Sequence, residues 1–297
     1  MTSESGQVRR GIGVRRPRTD SYLLMVLVAV FLGFAGAAGA IIFRILIRFF
    51  QGAFFGGVEG VTEVFEAGLF ADPHDPVERA RSLAAHWRVM IPALGGLIVG
   101  PIVYFLVREA KGPGIPEVME AVALRGGVIR RRVIGLKTLA SAITIGSGGS
   151  VGREGPIVQI GSAFGSTIGQ VFRVSADRLK TLVGCGAAAG IAGTFNAPIA
   201  GALFALEVIL GEFGASQFSP IVISSVVSTI VTRSLIGDMP AFIVPSYELV
   251  SAYEMLPYAI LGLAAGVVGV VFSVTLYKAE DTFDALPVPD LTKPVLG

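Results

Sequence analysis

Glu154 is the residue from which chemistry is most readily argued. It stands in Gly146-Ser147-Gly148-Gly149-Ser150-Val151-Gly152-Arg153-Glu154-Gly155-Pro156, between two uncharged runs, 138–151 and 155–172. So flanked, its carboxylate is expected inside a membrane, where an ionisable group is costly and marks a functional site. The glycines lead into Pro156 as a loop leads into a helix, with proline in the first turn, where its missing N–H costs nothing. The free N–H groups and positive dipole end of such a helix hold an anion without a full positive charge. Glu154 competes with that anion for the same dipole, so protonating the carboxylate, or displacing it, frees the site and makes it a gate. The alternative is an Arg153–Glu154 ion pair that only braces two helices.

A second break repeats the construction. In Lys111-Gly112-Pro113-Gly114-Ile115-Pro116-Glu117, glycines precede a proline suited to a first helical turn, giving another N-terminus open to an anion. A third, Gly186-Ala187-Ala188-Ala189-Gly190-Ile191-Ala192-Gly193-Thr194-Phe195-Asn196-Ala197-Pro198, reads as close helix packing followed by a turn. Gly161, Gly165 and Gly169 share that fourfold spacing and the same packing role. Cys185, the single cysteine, reads as a small packing residue, and one cysteine excludes an intrachain disulfide.

The elements that position these residues are membrane helices. Of 297 residues, 53% are hydrophobic and only 15% charged, against about 25% charged in soluble domains. Residues 21–43 carry no charge and are long enough to cross about 30 Å of hydrocarbon. A second span is expected at about 88–107, and shorter helical pieces at about 116–124, 133–147, 154–172, 181–195, 198–211, 218–237 and 256–277. Several are too short to cross straight, so the fold class is all-α, a polytopic membrane protein with broken and tilted helices around an inward-facing solute site. Residues 1–20 form a cytoplasmic N-terminal segment, since Arg9, Arg10, Arg15, Arg16 and Arg18 precede the first span, while the acidic loop at about 51–86 lies outside. The basic stretch from Arg108 to Lys137 and the link with Arg173, Arg178 and Lys180 return inside. A multi-pass protein of the cell (inner) membrane is expected, with the lipid bilayer as a partner.

Other chemistries are poorly served. A net charge of +2 argues against nucleic acid. No Gly-Lys-Ser/Thr follows the glycine-rich loop, against nucleotide binding, and His74 and His86 are too far outside for intramembrane proteolysis. No enzyme activity, cofactor or metal is read.

The three stretches GPGIPE (112–117), GSGGSVGREGPIVQIGSAFGS (146–166) and GAAAGIAGTFNAPIAGALFALEV (186–208) together resemble the CLC family of chloride channels and chloride/proton antiporters. A weaker echo runs from Pro245-Ser246-Tyr247 to Glu254. The resemblance covers residues 21–297 as a transmembrane domain: the first of the family's two inverted repeats plus the start of the second. It implies chloride or another small anion as the transported partner, Glu154 as the gating glutamate, and Arg153 as its positioner. The outer anion site falls at Gly152, Arg153 and Gly155, and the inner one at Gly112, Pro113, Gly114, Ile115 and Pro116. It also implies a homodimer whose interface draws on 181–211. Three departures qualify it. Pro113 stands where relatives often carry serine, which favours nitrate over chloride. Val208 stands where antiporters usually carry a proton-relaying glutamate, which favours a passive channel over a proton-coupled chloride or nitrate antiporter. The chain also stops near the lead-in to a further helix, so a truncated product or partial sequence is expected, a non-conducting fragment being the rival outside transport.

Overall fold

The computed structural model describes residues 22–66, 80–106, 114–238, 251–289 and 291–296. The expected N-terminal segment, His74, Arg108, Lys111, Gly112, Pro113 and Pro245-Ser246-Tyr247 lie outside the described residues. The fold is all-α, and among the described residues four helical stretches are long and apolar enough to cross a membrane: Leu23–Gly57, Ala85–Leu106, Ala215–Ile236 and Ala252–Asp284. It is an integral membrane protein.

Helix α1 (Tyr22–Glu66) corrects the first expectation, because residues 51–66 are helical rather than loop. Gly57 explains how: with φ 59° and ψ −139° it breaks the helix. The second arm folds back so closely that a β-carbon on Gly52 would lie 2.6 Å from the Gly60 carbonyl oxygen. Helix α2 (Ala85–Pro101) widens into a π-helical turn over Ile102–Leu106. It is followed by α3 (Ile115–Leu124), α4 (Arg132–Gly146) and α5 (Glu154–Val171), each within one residue of its expected start. Helix α6 (Ala176–Phe195) begins five residues earlier than expected and takes in Arg178 and Lys180. After α7 (Pro198–Phe204) the ladder widens again over Ala205–Leu210. Helix α8 (Ala215–Ile236), α9 (Met255–Asp284) and a short α10 (Lys293–Leu296) complete the order.

Helix α6 is the centre, with every residue from 181 to 193 buried. Its run of glycine and alanine lets backbones approach, the main source of helix association in lipid. A β-carbon on Gly161 of α5 would overlap the Gly186 carbonyl oxygen, and one on Gly186 would overlap that of Gly161. On the opposite side α8 supplies hydroxyls to α6 carbonyls: Ser224 donates to Cys185 (2.8 Å), Ser228 to Ala189 (2.6 Å) and Thr229 to Ala192 (3.4 Å). Cys185 is fully buried there, as a packing residue.

Helices α3 and α5 run side by side in the same direction. At their starts Gly114 meets Gly155. At their far ends Ser166 donates to the Gly127 carbonyl (2.7 Å) and accepts from the Ile129 N–H (2.8 Å). Gln170 donates to the Ile129 carbonyl (2.9 Å), fastening the α3–α4 link to α5.

Candidate anion site

Parallel packing brings two helix N-termini to one level. The ladder of α3 begins with the Val118 N–H on the Gly114 carbonyl (3.3 Å), and that of α5 with the Ile157 N–H on the Arg153 carbonyl (3.2 Å). The N–H groups of Ile115, Glu117, Glu154 and Gly155 therefore precede any intrahelical partner, and Pro116 and Pro156 have none to satisfy. Neither start carries a side-chain cap. Two uncapped positive dipole ends side by side make a stronger anion attractor than either alone.

Gly114 is what lets them meet. A β-carbon there would stand 2.7 Å from the Gly155 carbonyl oxygen and 3.2 Å from Gln159 Oε1. Its φ of 94° is also one that L side chains rarely adopt. The two breaks picked out in the sequence are thus in direct contact.

Glu154 occupies the first turn of α5, exposed at the mouth of this pair. Its carboxylate lies against Gly152, where an added β-carbon would overlap Oε2. Arg153 places its guanidinium over the Phe195 ring, 5.0 Å from the centroid, tying the start of α5 to the end of α6. Beyond Phe195, Asn196 takes a left-handed conformation (φ 56°) and its side-chain amide donates to Asp238 (2.8 Å), while Arg233 donates to the side-chain oxygen Oδ1 of Asn196.

The remaining expected residues distribute as follows. Ile115 and Pro116 form the first turn of α3, and Gly152, Arg153 and Gly155 surround Glu154. Val208 lies in the widened segment Ala205–Leu210, which packs against α3. Of the stretch expected at a dimer interface, 181–193 is buried within the chain itself, whereas Ile199 and Leu203 of α7 are exposed (76% and 44%). Two polar residues beside the site were not singled out in the sequence. Gln159 is a large amide in a run read only as uncharged, and Glu117 closes the GPGIPE motif; polar side chains one and three residues after the two helix-start prolines were the available signal.

A sequence model of the family described as voltage gated chloride channel matches residues 95–297. A putative ClcB-like chloride channel protein of Ralstonia nicotianae is 33% identical over 277 residues, covering 92% of this chain and 61% of the relative. The CLC-f chloride channel protein of Arabidopsis thaliana is 35% identical over 259 residues, covering 80% of this chain and 32% of that protein. The H+/Cl− exchange transporter ClcA of Vibrio parahaemolyticus is 35% identical over 217 residues, covering 70% and 46%. Among solved structures, a slow cyanobacterial Cl−/H+ antiporter superposes with a TM-score of 0.76 at 22% identity, over 92% of this chain and 61% of that one. A CLC-type fluoride/proton antiporter gives 0.70 at 21% identity, over 93% and 63%. The chain therefore spans about three fifths or less of the length of these relatives.

Proposed function

This chain belongs to the voltage-gated chloride channel (CLC) family, and from that membership we propose that it serves the coupled exchange of a small anion for protons. The observation that carries this reading is the meeting of two uncapped N-termini at Gly114 and Gly155 with Glu154 at their mouth. In it, the amides of Ile115, Glu117, Glu154 and Gly155 attract the anion. Glu154 is the gate, blocking the site as a carboxylate and releasing it when protonated or displaced. Arg153, held by Phe195, keeps the start of α5 in place. A Vibrio relative named an H+/Cl− exchanger favours exchange over the passive channel expected from the sequence. Val208 is the one observation on the channel side. Pro113 favours nitrate among the anions accepted. The protein works in this reading as a homodimer in the cell membrane, its N-terminus cytoplasmic, with exposed Ile199 and Leu203 on the contact face.

The test is reconstitution of the purified protein in liposomes under a chloride or nitrate gradient. Exchange drives protons uphill, and Glu154→Ala abolishes that movement and flattens the dependence of anion flux on pH between about 4.5 and about 7.5. Anion flux without uphill protons selects the channel; an unchanged pH response in Glu154→Ala removes Glu154 as the gate.

A further inference from the structure

In the first turn of α3 and the second turn of α5, Glu117 Oε2 and Gln159 Oε1 are both buried and neither has a hydrogen-bond partner. Gln159 as a whole is only 2% exposed. Leaving such groups dry and unpaired is costly, so each calls for a donor. The donor has a place to sit. A cavity of about 40 Å3 lies between α3, α5 and the 125–133 stretch, with Glu117, Gln159, Arg125, Ile129 and Arg130 in its lining. At roughly 10–15 Å3 per water it holds two or three. An anion is the wrong occupant, because it would face the Glu117 carboxylate and an amide oxygen. Water, which donates to both, is the right one.

We propose that Glu117 is the proton-relay carboxylate on the side of the basic 125–132 link, passing protons through this water-filled cavity to Glu154. The proposal rests on the exchange reading and supplies what Val208 removes from it. A proton arrives on cavity water, binds the Glu117 carboxylate, and leaves along water past Gln159 to the Glu154 carboxylate, no other bond being made or broken. Gln159 follows Glu154 by five residues, about 7.5 Å of helix axis, a gap that a short water chain bridges. Val208 lies in the segment packed on α3, the helix that carries Glu117, so a carboxylate on either element serves the same region. The charged groups beside Glu117 are buried Lys137 of α4, which senses its charge, and Arg125 and Arg130, which line the same cavity, Arg125 also pairing with Glu120 (2.6 Å).

The experiment measures anion and proton fluxes separately in liposomes for the wild type, Glu117→Gln, Gln159→Leu, and Glu117→Gln combined with Val208→Glu. The expected result is a fall in the number of protons moved per anion in Glu117→Gln, the same fall in Gln159→Leu, and the ratio regained in the double variant. Regain separates proton relay from a structural role, which a second substitution elsewhere does not repair. A wild-type ratio of protons to anions in Glu117→Gln overturns the proposal and leaves the exchange reading standing; should that variant not fold, a wild-type ratio in Gln159→Leu overturns it equally. A wild type that moves no protons overturns both, and is recognised because it fails before any substitution is made.

Discussion

Gly152 lies directly beneath the Glu154 carboxylate, so closely that a β-carbon at position 152 would overlap Oε2. The seat of the carboxylate proposed as the gate is thus defined by an absent side chain two residues earlier. Replacing Gly152 with alanine evicts the carboxylate without altering its chemistry. Gly152→Ala is therefore expected to raise anion flux at about pH 7.5 towards its value at about pH 4.5. Liposome flux at the two pH values checks this, and an unchanged ratio shows that the carboxylate gates from elsewhere.

The Gly114 contact governs how closely the two dipole ends approach. Gly114→Ala both strains a φ of 94° and pushes against the Gly155 carbonyl oxygen 2.7 Å away. Anion affinity is expected to fall roughly tenfold, equivalent to about 1.4 kcal/mol. Calorimetric titration with chloride and nitrate measures it.

Two helical glycines make a controlled pair. Gly161 touches the backbone of α6, and an added β-carbon has no room; Gly135 in α4 has nothing within 4 Å. Gly161→Ala is expected to destabilise by about 1–3 kcal/mol through overpacking. Gly135→Ala is expected to stabilise by up to about 1 kcal/mol through helix propensity. Thermal unfolding in detergent distinguishes the opposite signs.

The hydroxyl contacts between α8 and α6 predict a modest, distributed cost. Ser224→Ala and Ser228→Ala each lose one hydrogen bond to an α6 carbonyl. Each is expected to cost about 0.6 kcal/mol, the average for such bonds between membrane helices. Equilibrium unfolding of the single and double variants tests both the size and the additivity.

Asn196 ends α6 in the left-handed region, where asparagine is tolerated and β-branched residues are not. Asn196→Gly keeps the turn and loses only its hydrogen bonds, whereas Asn196→Val adds backbone strain of about 1–2 kcal/mol. A lower melting temperature for valine than for glycine is the expected order.

Much of this was legible in the sequence because proline and glycine mark helix starts directly. Pro116, Pro156 and Pro198 placed α3, α5 and α7 to within a residue, since a first-turn proline suits few other positions. The position of Glu154 at a helix start was legible because a glycine-rich loop runs through it into Pro156. The arm of α1 beyond Gly57 was not, because Glu59, Glu63 and Glu66 resemble a solvated loop until the reversal at Gly57 is seen. The widened segments Ile102–Leu106 and Ala205–Leu210 left no compositional mark. The pairing of Gly114 with Gly155 and the shared cavity of Glu117 and Gln159 depend on two helices running parallel, which no single run of residues encodes.

The backbone contact between Gly161 and Gly186 has a mechanical consequence. With carbonyl oxygens taking the space where side chains would otherwise cushion the interface, α5 has no slack to slide or rotate along α6. Whatever cycle the protein performs at the start of α5 must run on a stationary frame. In the proposed exchange, the Glu154 side chain is then a part that can turn on this frame without carrying α5 with it.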